Sequence, residues 1–205
     1  MKTLFPMFVK LENREVLVVG AGKVGEQKIA GLLDTGAQIH VVALHATDRV
    51  REWAHAGQIE FQERAYRSDD LQDKFLVIVA TSVRELNELV YQQARERGIL
   101  CNVVDVPEQC DFYYPSVVQR GDLQIAISTS GQSPSLAQRI RQQLEQQFGP
   151  AYADWVAQLG SVRREVLNSD LQPERKKQLL QSLASREAFE AELARHHSES
   201  NGGAA

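Results

Sequence analysis

The segment Glu15–Gly25, EVLVVGAGKVG, constrains the fold of this chain more than any other. Its apolar run, Glu15–Val19, ends at Gly20 and reads as a buried parallel strand. Gly20, Gly22 and Gly25 then keep the spacing GxGxxG through Lys23 and Val24. Val24, Lys28, Leu32 and Leu33 continue as a helix that Gly36 stops. A strand, a glycine turn and a helix in that order form the fingerprint of a dinucleotide-binding βαβ unit. In such a unit the first glycine permits the turn, the second lets a pyrophosphate approach the backbone, and the third lets helix and strand pack closely. The helix N-terminus supplies N–H donors and a partial positive charge to the phosphates.

The next seventy residues continue the same architecture. Ile39–Leu44 reads as a second strand, and Ile59 and Phe61 mark a short third. Phe75–Ala80, FLVIVA, has no polar residue and reads as a central fourth. Asn87–Arg97 reads as a helix closed by Gly98, and Ile99–Val104 as a fifth strand. The order β-α-β-β-α-β predicts an α/β fold, a Rossmann-type parallel sheet with right-handed crossovers. After Asp105 the pattern changes. Phe112–Val118 and Leu123–Ser128 read as two strands joined across Arg120-Gly121-Asp122. Ser133 and Pro134 suit a helix cap and first turn, with Leu136, Ile140, Leu144 and Phe148 on one stripe. From Ala151 to about Arg195 the chain reads as helical, with a break at Asp170–Pro173. The pattern thus changes near residues 112 and 150, and the polar tail over 196–205 is expected to be disordered.

Composition narrows the function classes. Forty-three per cent hydrophobic and 24% charged residues are ordinary for a globular chain, and a net charge of −4 argues against a nucleic-acid partner. No apolar run approaches a membrane span, and Pro6 interrupts an N-terminus without a signal-peptide core, so no membrane association and a cytoplasmic location are expected. Cys101 and Cys110 are not in a CxxC pair, and His196-His197 lies in the polar tail, so no metal site is indicated.

The adenosine end of the nucleotide is less explicit. The second strand ends Ala43-Leu44-His45 where an acid for the ribose is customary; Asp48 and Arg49 come later. This position does not decide between NAD and NADP. Backbone groups of Ala43, Leu44 and His45 are candidates for the adenosine pocket, and Thr81, after the fourth strand, for the cofactor side of the crevice.

Two further segments are distinctive: NVVDVPEQCDFYYPS, Asn102–Ser116, and IAISTSGQSPSLA, Ile125–Ala137. With VLVVGAGKVGEQK, in the same order and spacing, they resemble the precorrin-2 dehydrogenase/sirohydrochlorin ferrochelatase family over about residues 3–150. The resemblance implies NAD as cofactor, a dinucleotide-binding domain over 1–111, a dimerisation segment over 112–150 that builds a homodimer, a helical domain over 151–195, and NAD-dependent oxidation of precorrin-2 to sirohydrochlorin. It leaves open a second activity, insertion of a ferrous or cobalt ion. It implies that Asp105, in the NVVD segment, is catalytic. At the carboxyl end of the fifth strand a carboxylate is placed to take a proton from a macrocycle as hydride leaves for the nicotinamide; the bland reading is an Asx-type turn residue before Val106-Pro107. Asn102, Ser128, Thr129 and Ser133 are candidate substrate contacts, the last three in a polar turn leading to a helix N-terminus. The alternative from another class is an NAD-sensing regulatory module, which would account for the glycine turn but not for these two segments.

Overall fold

A computed structural model describes residues 4–191 and residue 194. It divides between Tyr114 and Pro115 into two compact units. The first is a five-stranded parallel sheet of β1 (Glu15–Ala21), β2 (Gln38–Ala46), β3 (Glu60–Glu63), β4 (Leu76–Val79) and β5 (Leu100–Val103), in the order β3-β2-β1-β4-β5. Successive residues of a strand face opposite sides, and here both sides are covered. Val16, Val18 and Ile78 pack with Ile29 of α1 (Lys23–Ala30) and with Val50 and Trp53 of α2 (Asp48–His55). Leu17, Val19, Val77 and Val79 pack with Val90 and Ala94 of α3 (Arg84–Glu96). Two-sided burial is why β1 and β4 read as unbroken apolar runs.

Three elements differ from the sequence expectation. α2 is absent from the sequence pattern: its eight residues bury only Val50 and Trp53, too narrow a stripe to register as a helical period, although the Thr47 hydroxyl caps it by accepting from the Val50 N–H. α1 ends at Ala30, and Leu33–Thr35 forms a separate 3-10 turn before Gly36. Phe112–Pro115 is not strand. Instead Cys110 bridges antiparallel to Asn102, and Asp111 exchanges bonds with Cys101: its N–H donates to the Cys101 carbonyl at 2.8 Å and its carboxylate accepts from the Cys101 N–H at 2.9 Å. The segment therefore covers the open edge of β5.

The second unit opens with β6 (Ser116–Arg120) and β7 (Leu123–Ile127), an antiparallel hairpin whose two-residue turn places Gly121 at φ +55°. α4 (Pro134–Gln147), α5 (Tyr152–Asn168) and α6 (Pro173–Leu183) come after it. The Arg120 guanidinium ties the hairpin to the end of α4 by donating to the carbonyls of Phe148 at 2.8 Å and Glu145 at 3.3 Å. Phe148, Tyr152, Trp155 and Phe189 form an aromatic cluster with centroids 4.2–5.6 Å apart, which makes Trp155 a packing anchor. No described helix is long and apolar enough to cross a membrane. The expected tail, 196–205, lies outside the described residues.

Candidate functional site

The strand order reverses direction between β1 and β4, so the carboxyl ends of these strands flank a crevice where open α/β sheets place their ligands. The glycine turn lies at that edge. Gly20 has φ +103°, and a Cβ there would stand 2.4 Å from the Ala80 carbonyl oxygen. A Cβ on Gly25 would stand 2.1 Å from the Gly20 carbonyl oxygen. A Cβ on Gly22 would meet no heavy atom within 4 Å. Gly20 and Gly25 are thus required by the protein's own packing, whereas Gly22 faces open space. No side chain caps the N-terminus of α1, so its first N–H groups point outward without an intrahelical partner. That arrangement fits the pyrophosphate of a dinucleotide. Lys23 and Val24 are exposed beside it.

The rim of the crevice carries apolar side chains that the core does not use. Leu44 at the end of β2 and Val83 after β4 are both exposed. Ala43 is half-buried, and His45 is exposed in electrostatic reach of Glu63. Asp48 lies in the first turn of α2, and the Arg49 guanidinium stacks 5.2 Å from the Trp53 ring centroid. Thr81 stands next to Gly20: its methyl would be 3.1 Å from a Cβ there. Its hydroxyl donates to Asn87 Oδ1 at 2.5 Å and accepts from the Val83 N–H at 3.2 Å, while Asn87 Nδ2 donates to the Thr81 carbonyl at 3.2 Å. Asn87, buried in the first turns of α3, therefore locks the wall that Thr81 presents.

Asp105 follows β5 on the same sheet edge, two strands from β1 and so roughly 10 Å across the sheet. It is exposed and has φ +64°. The Val106 N–H donates to the Val103 carbonyl at 3.1 Å, which makes Asp105 the third residue of a tight turn. A positive φ at that place is the mark of a type II turn and normally selects glycine or asparagine. Lys28 of α1 is half-buried, with Nζ 3.7 Å from the Tyr114 ring centroid. Burial pushes its ammonium below the ordinary lysine range, while the negative charge of Asp105 acts in the opposite sense. Asn102 is buried, and its Nδ2 donates to the Phe112 carbonyl at 2.7 Å and to Cys110 Sγ at 3.4 Å, so its amide holds the edge segment.

In the second unit Ser128, Thr129 and Ser133 shape one polar turn in which Ser130 and Gly131 have positive φ. Each hydroxyl accepts from a backbone N–H: Ser128 from Ser130 at 3.1 Å, Thr129 from Ser133 at 3.0 Å, Ser133 from Leu136 at 3.3 Å. Ser133 is thereby the cap of α4, with Pro134 in its first turn. Among the described residues no cluster of three His, Cys, Asp or Glu side chains could hold a metal ion.

Sequence reasoning missed Lys28, Asn87 and Cys110. Asn87 carried a faint signal, a polar residue on an otherwise core-facing helical position. The other two act through tertiary contacts with no local pattern.

Residues 7–116 match the family described as putative NAD(P)-binding, and residues 120–147 match the one described as sirohaem biosynthesis protein central. Siroheme synthase 2 of Yersinia enterocolitica is 39% identical over 163 residues, and siroheme synthase 3 of Aeromonas hydrophila 41% over 161. These alignments cover 79% and 78% of this chain and 34% of each relative, so the chain spans about a third of the length of the curated relatives it matches. Among solved structures, that of SirC, precorrin-2 dehydrogenase, superposes with a TM-score of 0.79 at 28% identity, covering 91% of this chain and 92% of that one.

Proposed function

This chain belongs to the putative NAD(P)-binding family, and on that premise we propose that it oxidises precorrin-2 to sirohydrochlorin with NAD as the hydride acceptor. The observation that carries the reading is one sheet edge holding both an open glycine turn at Gly22 and an exposed carboxylate, Asp105, on a left-handed turn. The likeness to SirC over nine-tenths of both chains supports it, as do the siroheme synthase relatives. The match over residues 120–147 is to sirohaem biosynthesis, which leaves a nucleotide-sensing regulatory module without support.

Dehydrogenation removes two hydrogens from the macrocycle, one as hydride and one as a proton. The oxidised nicotinamide, when bound, accepts the hydride. Asp105 takes the proton on a carboxylate oxygen and later releases it to water, so the balance is precorrin-2 and NAD+ to sirohydrochlorin, NADH and H+. Gly20, Gly22, Lys23, Val24 and Gly25 hold the pyrophosphate; Ala43, Leu44, His45 and Thr81 line the nucleoside ends. The preference for NAD is what the resemblance implies, and the stacking of the Arg49 guanidinium on Trp53 is consistent with it.

For the substrate's carboxylates we assign the hydroxyls of Ser128, Thr129 and Ser133, since a hydroxyl that accepts from the backbone keeps its proton for an anion. Asn102 contributes through the edge segment that it fastens. Ferrous or cobalt ion as a second substrate would need no dedicated ligand cluster, only a base for the pyrrole protons. The division of labour proposed is nucleotide binding over 1–111, dimerisation over 112–150 and a helical domain over 151–195. β6 and β7 each have one edge without a strand partner among the described residues, which favours pairing with a second copy.

The test is an anaerobic assay with precorrin-2 and either NAD or NADP. Sirohydrochlorin absorbance should rise with NAD, faster than with NADP. No product with either nucleotide would overturn the reading. Adding ferrous or cobalt ion afterwards reports chelation, and size-exclusion chromatography at micromolar concentration reports the dimer.

A further inference from the structure

We propose that Cys110 is a positioning residue for the reaction: its thiol clamps the tight turn that presents Asp105. The proposal rests on the reading of Asp105 as the base. Cys110 Sγ lies 3.2 Å from the carbonyl oxygen of Val103 and 3.2 Å from that of Val106. Those are the first and last residues of the four-residue turn in which Asp105 is third. One thiol proton shared between two carbonyls ties both ends of the turn to a single atom. That atom is itself held, because Asn102 Nδ2 donates to it and fastens the neighbouring Phe112 carbonyl. Cys110 also pairs with Asn102 as an antiparallel bridge against β5, so its backbone is anchored to the sheet.

The turn needs such a clamp. An aspartate at φ +64° occupies a place that glycine or asparagine fills at less cost. Residues in sparsely populated regions persist where the surroundings over-determine them, and they gather at functional sites. The thiol is suited to the task because it remains a thiol. Burial pushes it above the ordinary cysteine range, and a thiol that donates to a carbonyl is favoured in its protonated form, so at neutral pH Sγ keeps its proton and donates. The charged groups that act on it are the carboxylates of Asp111 and Glu108, which also favour the thiol, and the ammonium of Lys28, which also feels Asp105; a thiolate there would compete with the aspartate for that cation.

The experiment compares Cys110→Ala, Cys110→Ser and Asp105→Asn with the parent in the full chain. In the cofactor-free protein, hydrogen–deuterium exchange at the Val106 amide should quicken about tenfold in Cys110→Ala and less in Cys110→Ser, which keeps a donor on a shorter bond. With precorrin-2 and NAD, kcat should fall about tenfold in Cys110→Ala with KM within about twofold, because the turn relaxes by a fraction of an ångström while the binding surfaces are untouched. Cys110→Ser should recover part of that loss. Parent-like kcat and parent-like Val106 exchange in Cys110→Ala would overturn the clamp. So would equal losses in kcat for Ala and Ser, which would indicate packing alone. Full turnover in Asp105→Asn would overturn the assignment of the base, and with it the catalytic purpose of the clamp, whatever the exchange at Val106 shows.

Discussion

A Cβ on Gly25 would lie 2.1 Å from the carbonyl oxygen of Gly20, so the first turn of α1 is pressed directly onto the end of β1. Gly22, between them in sequence, would bring a Cβ into open space. The two glycines therefore separate folding from binding. Gly25→Ala should cost about 1–3 kcal/mol by overpacking against backbone that cannot step aside, and should lower the thermal midpoint. Gly22→Ala should fold within about 1 kcal/mol of the parent. Its methyl should nevertheless weaken NAD binding about tenfold or more by holding the pyrophosphate off its N–H donors. Thermal melts paired with nucleotide titrations read both. Parent-like NAD affinity in Gly22→Ala would mean that the dinucleotide does not lie on this turn.

Asp105→Asn is the cleanest probe of the proposed base. Asparagine tolerates a left-handed φ as well as aspartate does, so the turn survives while the proton acceptor is removed. Turnover should fall by about 10²–10⁴, the usual weight of general base catalysis, with NAD affinity and thermal midpoint unchanged. Asp105→Ala would add about 1–2 kcal/mol of backbone strain, so a midpoint lower than that of the asparagine variant is expected as well. Retained activity in both variants would leave Asp105 a turn residue only.

Much of this arrangement is legible in the amino-acid sequence. The strand Glu15–Val19, the glycine spacing and the apolar run FLVIVA encode a two-sided parallel sheet because both faces of β1 and β4 are buried. Ser133 and Pro134 are readable as a helix start because capping is local chemistry. α2 escapes because only Val50 and Trp53 turn inward, even though Thr47 and Gly57, at φ +69°, bracket it. Phe112–Tyr114 reads as strand because aromatics favour strands, yet its place is decided by Asn102 and Asp111, which pin the preceding residues to β5. The sign of φ at Asp105 has no signature in an aspartate, and the approach of Lys28 to Tyr114 joins residues with no periodic relation.

Half-buried Thr81 and buried Asn87 offer a prediction about the opposite wall of the crevice. Asn87 both accepts from the Thr81 hydroxyl and donates to the Thr81 carbonyl. Asn87→Ala removes both bonds from half-buried Thr81, which should cost about 1–2 kcal/mol. Because Thr81 abuts Gly20, NAD affinity should fall as well, whereas Asn87→Asp should keep the acceptor and lose only the donor. Urea denaturation with nucleotide titration measures both effects. A destabilised variant with intact NAD affinity would assign the pair to folding alone.

At the other end of the sheet an ionic cluster sets an acid limit on stability. Glu15 Oε2 lies 3.0 Å from Lys74 Nζ and 2.5 Å from His40 Nε2, and His40 Nδ1 lies 3.1 Å from Glu60. Burial raises the Glu15 pKa, but the bond and charge of Lys74 and the charge of His40 outweigh it, and the carboxyl ends below its ordinary 4.5. A group whose pKa is lower in the folded state stabilises the fold above its ordinary value and loses that contribution as pH falls through the folded value. Lys74→Met leaves the burial and removes the largest compensation, so its acid unfolding midpoint should move to higher pH. Glu15→Gln should show a shallower loss of stability below pH 4.5 than the parent. The effect is modest, below about 1 kcal/mol, because these side chains are partly exposed. Tryptophan fluorescence against pH measures it, and superimposable acid curves for the parent and both variants would show that the cluster is neutral to folding.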